Sequence, residues 1–325
     1  LQQCNLRFFI TFKKGVKKCS QKNTFFLSKK KNTYLTDPTP TGADAIEAFD
    51  IEITPARNIK ERNQGFGTLG SKASFINSDV VDVKFKTFLS GNGTLNGSTQ
   101  PIVGKLFDAC GFVGTFTTSW DHTFSSTQGS VTIWFFIDGM KYVINGVRGN
   151  FSITMTAGEF PIVEWTMKGR MFTQSTISIM TPTTWQSNPK VVQTEDFELG
   201  SGTNIDGIET LTIAQSGLQY FKDINNNYGF GRVAITDLDI DVKINPEMTT
   251  TLESQFETAI LASTTYASHF VHGSGTGEKF TFSFPALQIV DIKYGERNGL
   301  RIADVTMKAR NAVDGAEDAL SITIE

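Results

Sequence analysis

The residues of this chain that could do chemistry are few, and their spacing decides against most of it. The histidines are His122, His269 and His272. His269 and His272 could offer two imidazoles to a metal, but no cysteine or carboxylate cluster accompanies them in sequence. On an extended strand, positions i and i+3 also point to opposite faces. Gly273-Ser-Gly-Thr-Gly-Glu-Lys279 has the glycine content of a phosphate-cradling loop. That chemistry needs Gly directly before Lys, then Ser or Thr, at the start of a helix. Here Glu278 precedes Lys279 and Phe280 opens a strand pattern, so a glycine-rich hairpin is expected. Cys110 sits beside Asp108 with no nearby histidine and reads as a packed helical cysteine. The sequons at Asn92, Asn96 and Asn150 carry no weight without a secretory signal. A hydrolase would need a convergent carboxylate or Ser/His cluster, which the sequence does not offer. The expectation is a chain with no catalytic residues, no cofactor and no metal.

What the sequence does offer is repetition. Ala157–Arg170 reads AGEFPIVEWTMKGR, and Arg297–Arg310, 140 positions later, reads RNGLRIADVTMKAR. The core Thr166-Met167-Lys168 returns as Thr306-Met307-Lys308. Further back, Lys141–Ile144 parallels Thr281–Phe284, and each half has one helix pattern, Pro101–Phe112 and Thr250–Ser263. Each helix follows a long alternating strand, Val80–Leu89 or Ile235–Ile244, and before these Asp50–Thr54 parallels Glu209–Ile213. The separation of the copies falls from about 158 to 140 along the chain, as if the second copy has shorter connections. Two copies of one β-unit suit a ring or shell better than a catalyst, which needs one asymmetric constellation.

Composition agrees with a structural β-protein. The 325 residues suffice for two domains, with Phe at 27 and Pro at only 9. Three cysteines, at 4, 19 and 110, argue against a disulfide framework and fit a reducing compartment. No apolar stretch approaches a membrane span. Charge is unevenly placed: residues 1–36 hold Arg7 and eight lysines without an acid, so the remainder carries −12 within a total of −3. Residues 1–33 read as a basic leader, disordered or an extension foreign to the fold. Residues 34–190 and 191–325 read as two tandem domains.

The two long strands separate their residues by face. In Val80–Leu89, Val81, Val83 and Phe85 alternate with Asp82, Lys84 and Lys86. In Ile235–Ile244, Leu238, Ile240, Val242 and Ile244 alternate with Asp237, Asp239, Asp241 and Lys243. A helix covers one face of such a sheet and leaves the other to solvent. If neighbouring subunits joined their sheets edge to edge, a large barrel would form, lined by the polar rows. An acidic lining would repel phosphate. The alternation itself does not say whether the rows face a lumen or outer solvent.

From Tyr34 onward the chain carries an ordered series of short motifs: Asp37-Pro-Thr-Pro-Thr-Gly-Ala-Asp44-Ala45, Asp50-Ile-Glu-Ile-Thr-Pro55, Gly67-Thr-Leu-Gly70 and Leu89-Ser-Gly-Asn-Gly93. The series continues in Pro101-Ile-Val-Gly-Lys-Leu-Phe-Asp-Ala-Cys-Gly-Phe112, then Phe284-Pro-Ala286, Val290-Asp291 and Leu320-Ser-Ile-Thr-Ile324. In these motifs and their order the chain resembles the tail tube (major tail) proteins of long-tailed bacteriophages. The resemblance covers about residues 34–325, and residues 1–33 depart from it.

The resemblance implies a mainly β fold with few helices: two related β-sandwich or barrel-like domains, each with one packed helix, assembling into a ring. It implies stacked rings forming a hollow tube in the virion, with other tail proteins as partners and DNA passing through without specific binding. Six β-domains around the lumen would make a two-domain chain a trimer with pseudo-sixfold symmetry. Asp82, Lys84, Asp237, Asp239, Asp241 and Lys243 are the expected lumen lining. The segments Ala56–Ser78 and Gln215–Gly231 read as long loops for ring-to-ring contact, through Arg57, Lys60, Arg62 and Phe66, and through Tyr220, Phe221, Lys222 and Tyr228. The alternative is a two-domain β-sandwich binding module, an adhesin or carbohydrate binder, with Trp120, Trp134, Trp165 and Trp185 exposed to stack on sugars.

Overall fold

A computed structural model describes residues 25–31, 34–56, 59–61, 73–76, 79–137, 139–176, 180–183, 186–193, 195, 197–200, 204–226, 229–313 and 315–325. The first half contains β1 (Phe25–Lys31), β2 (Ala45–Ile46), β3 (Ala48–Pro55), the short pair β4 (Ile59–Lys60) and β5 (Phe75–Ile76), and β6 (Val80–Phe88). Helix α1 (Ile102–Ala109), β7 (Phe112–Phe116), β8 (Trp120–Phe124), β9 (Ser130–Ile137), β10 (Met140–Thr156) and β11 (Ile162–Thr176) complete it. The second half contains β12 (Phe197–Leu199), β13 (Thr210–Lys222), β14 (Phe230–Ile244), α2 (Thr250–Leu261), β15 (Thr265–His272), β16 (Phe280–Arg297), β17 (Leu300–Arg310) and β18 (Ser321–Ile324). The fold is mainly β, with the two α-helices where the sequence patterns place them.

The two halves share one strand order. In the first it is β3-β6-β11-β10-β9-β1, in the second β13-β14-β17-β16-β15-β12. The register repeats as well. Met167 stands opposite Val83 and Met307 opposite Val242; Lys168 stands opposite Asp82 and Lys308 opposite Asp241. Each helix follows the second strand of its unit. Thr249 caps α2 by accepting a hydrogen bond from the Leu252 N–H at 3.2 Å.

The two units, 34–190 and 191–325 in sequence, share one sheet. Ser152–Thr156 of β10 pair with Thr210–Ala214 of β13, so the two sheets continue into one another. The hairpin β7–β8 returns from the first half to pair with β18 of the second. One buried cluster accordingly includes Phe107, Phe151 and Trp165 from the first half with Val242, Phe282 and Val305 from the second. The leader reading also needs correction. Phe25–Lys31 is a strand, paired residue by residue with β9. It holds the place in the first unit that β12 holds in the second, and its lysine run hid it. The rest of the leader lies outside the described residues.

Candidate functional site: a polar face with two open edges

The path β3-β6-β11-β10-β13-β14-β17-β16 forms one antiparallel sheet whose two faces differ. Val81, Val83, Phe85, Ile153, Val163, Ile213, Val242 and Val305 are buried on one face. Period-2 alternation puts Glu52, Asp82, Lys84, Glu164, Thr154, Thr212, Asp241, Lys243 and Lys308 on the other, half-buried or exposed. The rows read from Val80–Leu89 and Ile235–Ile244 are therefore parts of one continuous polar surface.

Asp237 is not part of that row. The register between β13 and β14 shifts between Ser216 and Leu218. Gly217 lies there at φ +119°, and a Cβ on it would come within 1.9 Å of the Asp237 carbonyl oxygen. The bulge turns Asp237 aside, into a groove with Ser126, Gln128 and Asn311.

The surface is mixed in charge, which corrects the expectation of an acidic lining. Lys168 Nζ lies 2.5 Å from Asp82 Oδ1, and Lys308 Nζ lies 2.7 Å from Asp239 Oδ1 and 3.3 Å from Asp241 Oδ1. The lysine of each repeated Thr-Met-Lys thus neutralises an aspartate across the strand. Hydrogen bonding to Asp239, offset by partial desolvation and reinforced by Asp241, raises the Lys308 pKa above the usual lysine range. Lys86 likewise pairs with Asp50 at 3.0 Å. These partners were hidden in sequence because cross-strand neighbours depend on register.

Both ends of the path are open. Among the described residues, β3 pairs with β6 alone, and Asp291–Arg297 of β16 pair with β17 alone. Arg148, which sequence reasoning missed, braces the join between the halves. Its guanidinium donates to the Gln128, Gly129 and Val233 carbonyls at 2.8–2.9 Å and stacks on Tyr34, whose hydroxyl accepts from the Val233 N–H. Burial pushes the Arg148 pKa down and that of the Tyr34 phenol up.

The segment Gln215–Gly231 is mostly not a loop. Its residues extend β13 and β14 into a projecting hairpin. Tyr220 packs on Phe230 with ring centroids 5.5 Å apart, while Phe221 and Lys222 are exposed near the tip and Ile224 is 98% exposed. The first half projects β4–β5 from the matching place, with Ile59, Lys60 and Phe75 exposed. Arg57, Arg62, Phe66 and Tyr228 lie outside the described residues.

The tryptophan reading is corrected. Trp165 is fully buried, and Trp120 and Trp134 nearly so. Their indole N–H groups donate inside the protein, to Thr87 Oγ1, the Asn96 carbonyl and the Asp37 carboxylate respectively. Trp185 lies outside the described residues. A groove of about 710 Å³ beside His269 is lined by Glu198, Phe284 and Asp318, with no tryptophan.

The glycine-rich segment is the hairpin loop between β15 and β16, and protein fills it. A Cβ on Gly91 would meet the Gly277 carbonyl oxygen at 1.6 Å, and one on Gly277 would meet Thr94 backbone at 2.6 Å. Glycines are required by this backbone crossing. Lys279 is paired with Glu325, and Glu278 with Lys190. His272 is buried against Glu195 at 2.9 Å, whereas His269 is half-buried beside Glu198 at 3.5 Å, on the opposite face. Burial, and secondarily Asp108, pushes the Cys110 thiol well above its usual pKa. Among the described residues no group of three or more His, Cys, Asp or Glu could hold a metal ion, and no helix is long and apolar enough to cross a membrane. Comparison with known proteins finds no family model that matches this chain and no curated protein that matches it in sequence.

Proposed function

We propose that this chain is the structural subunit of a hollow tube of the kind built by the tail proteins of long-tailed bacteriophages. Copies close into rings, rings stack, and DNA passes through the lumen without a specific site. The observation that carries this reading is the eight-strand sheet with one polar face and two open edges. It is assembled from two units of the same strand order, and a row of such repeats extends by adding more.

The size of the closed ring follows from strand spacing. At about 4.8 Å between strands and a tilt of about 40°, two copies would make a barrel about 32 Å across between backbones. Side chains of about 5 Å from each wall would leave little room for a hydrated duplex. Three copies give about 48 Å between backbones by the same arithmetic, which leaves ample room. A trimer, with six units around the axis, is the smallest ring that fits the role. The projecting hairpins with Ile59, Phe75, Phe221 and Ile224 suit contact between stacked rings. The mixed charge of the face suits a sliding polyanion, because Lys86, Lys168 and Lys308 already have carboxylate partners and offer little to phosphate. Virion localisation and contact with other tail proteins belong to the same proposal.

Negative-stain microscopy and native mass measurement of the purified protein test it. Hollow rings or tubes of constant width, with three chains per ring, are expected. A chain that stays monomeric at every concentration would overturn the reading, and six chains per ring would overturn the pseudo-sixfold arrangement.

A further inference from the structure

The join between β10 and β13 is a boundary between two repeats, and each side of it has a counterpart at an outer edge of the same chain. On one side, Val163 faces Ile153 and its repeat-mate Ala303 faces Tyr294. Tyr294 therefore holds the place of Ile153, and Lys293 that of Ser152. On the other side, Val83 faces Ile53 and Val242 faces Ile213. Ile53 therefore holds the place of Ile213, and Thr54 that of Ala214. Within the chain, Ile153 pairs with Ile213 and Ser152 with Ala214.

We propose that this join is repeated between copies. Asp291–Arg297 of one chain pairs antiparallel with β3 of the next, with Tyr294 opposite Ile53, Lys293 opposite Thr54 and Gly295 opposite Glu52. The proposal rests on the ring reading above and supplies its contact. The occupant of each edge is a second copy of this chain, because the edge that fits β13 in this fold is an edge of the same repeat.

Three observations support that occupant. Ile153 and Ile213 are both fully buried, whereas Tyr294 is 40% exposed and Ile53 half-buried, so the apolar pair at the outer edges is unfinished. Neither edge is blunted in its middle by proline; Pro55 stands at the last position of β3 and no proline lies in 291–297. On the polar face, Lys293 would lie diagonally from Glu52, a favourable cross-strand pair. Asp50, at φ +51° in a bulge of β3, ends the pairing on its N-terminal side. The contact is heterologous, one surface against a different one, so it closes into a ring when the rotation per copy allows.

Disulfide trapping tests the register. Thr54→Cys and Lys293→Cys are placed together in the full chain with Cys4→Ser and Cys19→Ser; both sites are exposed, and Cys110 is buried. Directly opposed positions bring the Cβ atoms within disulfide range. Mild oxidation is expected to give covalent dimers and closed trimers. Thr54→Cys with Tyr294→Cys, one residue out of register and on opposite faces, should not cross-link. Hydrogen exchange of the chain with its natural residues gives a second reading: amides in 52–54 and 291–297 should slow at least about tenfold on assembly. Rings that form with neither cross-link nor protection overturn the register and leave the tube reading standing. A chain that neither assembles nor cross-links overturns both. Cross-linked ladders that run past three chains keep the edge pairing and overturn trimeric closure.

Discussion

The two halves use one strand order to cover a helix in different ways. In the first, α1 is buried on nearly every side, down to Asp108. It lies between the sheet and the hairpin β7–β8, an insertion with no counterpart in the second half. Gln100 donates to Asp108 at 3.0 Å and bonds His122 at 3.1 Å, and Asp108 accepts from the Gly114 N–H at 2.6 Å, so the hairpin is pinned to the helix. Beneath it the core is aromatic: Phe85, Phe107, Phe151 and Trp165 meet within 5.2–6.3 Å. In the second half, α2 is an ordinary amphipathic helix that buries Phe256 and Ala259 and leaves Leu261 85% exposed. The core below it is aliphatic at matching places, with Val305 for Trp165 and Ile244 for Phe85. The shared part is the sheet and its polar face. The part free to diverge is the cover on the other face.

The core gives that contrast its strongest test. Trp165→Ala removes a fully buried indole and its 2.9 Å hydrogen bond to Thr87, and is expected to cost about 3–5 kcal/mol. Val305→Ala at the matching place is expected to cost about 2 kcal/mol. Urea unfolding midpoints compare them, and equal losses would mean that the halves do not differ in packing. The helix covers come next. Asp108→Ala leaves the Gly114 N–H without its acceptor in a buried setting, for about 1–3 kcal/mol. Leu261→Ala on the uncovered face of α2 should stay within about 0.5 kcal/mol. A large loss at Leu261 in the unassembled chain would show that α2 is covered after all.

The repeated lysines test what the halves share. Lys168→Met and Lys308→Met each break a partly exposed ion pair, so each should cost under about 1 kcal/mol. Double-mutant cycles with Asp82→Asn and Asp239→Asn should give similar couplings in the two halves. Raised salt should shrink both couplings, and a coupling confined to one half would separate the two sites in role.

Much of this fold is legible in sequence because two periods survive in it. The alternation in Val80–Leu89 gives the buried row Val81, Val83 and Phe85, and the Thr-Met-Lys repeat marks β11 and β17. The failures have physical causes. Gln215–Gly231 read as a loop, whereas Gly217 permits a bulge and Gly231 a close strand approach inside a long hairpin. Trp120, Trp134 and Trp165 read as exposed because an aromatic in an alternating strand does not reveal which face is covered. The charge pairing on the polar face was illegible because Lys168 meets Asp82 only once the β6–β11 register is known. The joining of the halves by β10–β13 and β8–β18 is long-range pairing that no local pattern encodes.

The smallest expected effect lies at the edge where the halves differ most in surroundings. Ile153 is buried at the inner join, while its counterpart Tyr294 donates its hydroxyl to Glu257 of α2 at 2.6 Å, under the Arg301 guanidinium. The hydrogen bond to that carboxylate, more than desolvation, pushes the Tyr294 pKa up to about 12. The folded state thus holds this proton more tightly than the unfolded chain, whose tyrosines titrate near pH 10. Whatever stability the contact gives is fully present below about pH 10 and is lost as pH rises through about 12. Tyr294→Phe should therefore be slightly less stable than the natural chain at pH 8, and the gap should close toward pH 12. Paired urea titrations of unassembled protein measure it. A gap that widens with pH would mean that Tyr294 is held in another way, and that the edge is not poised as its exposure suggests.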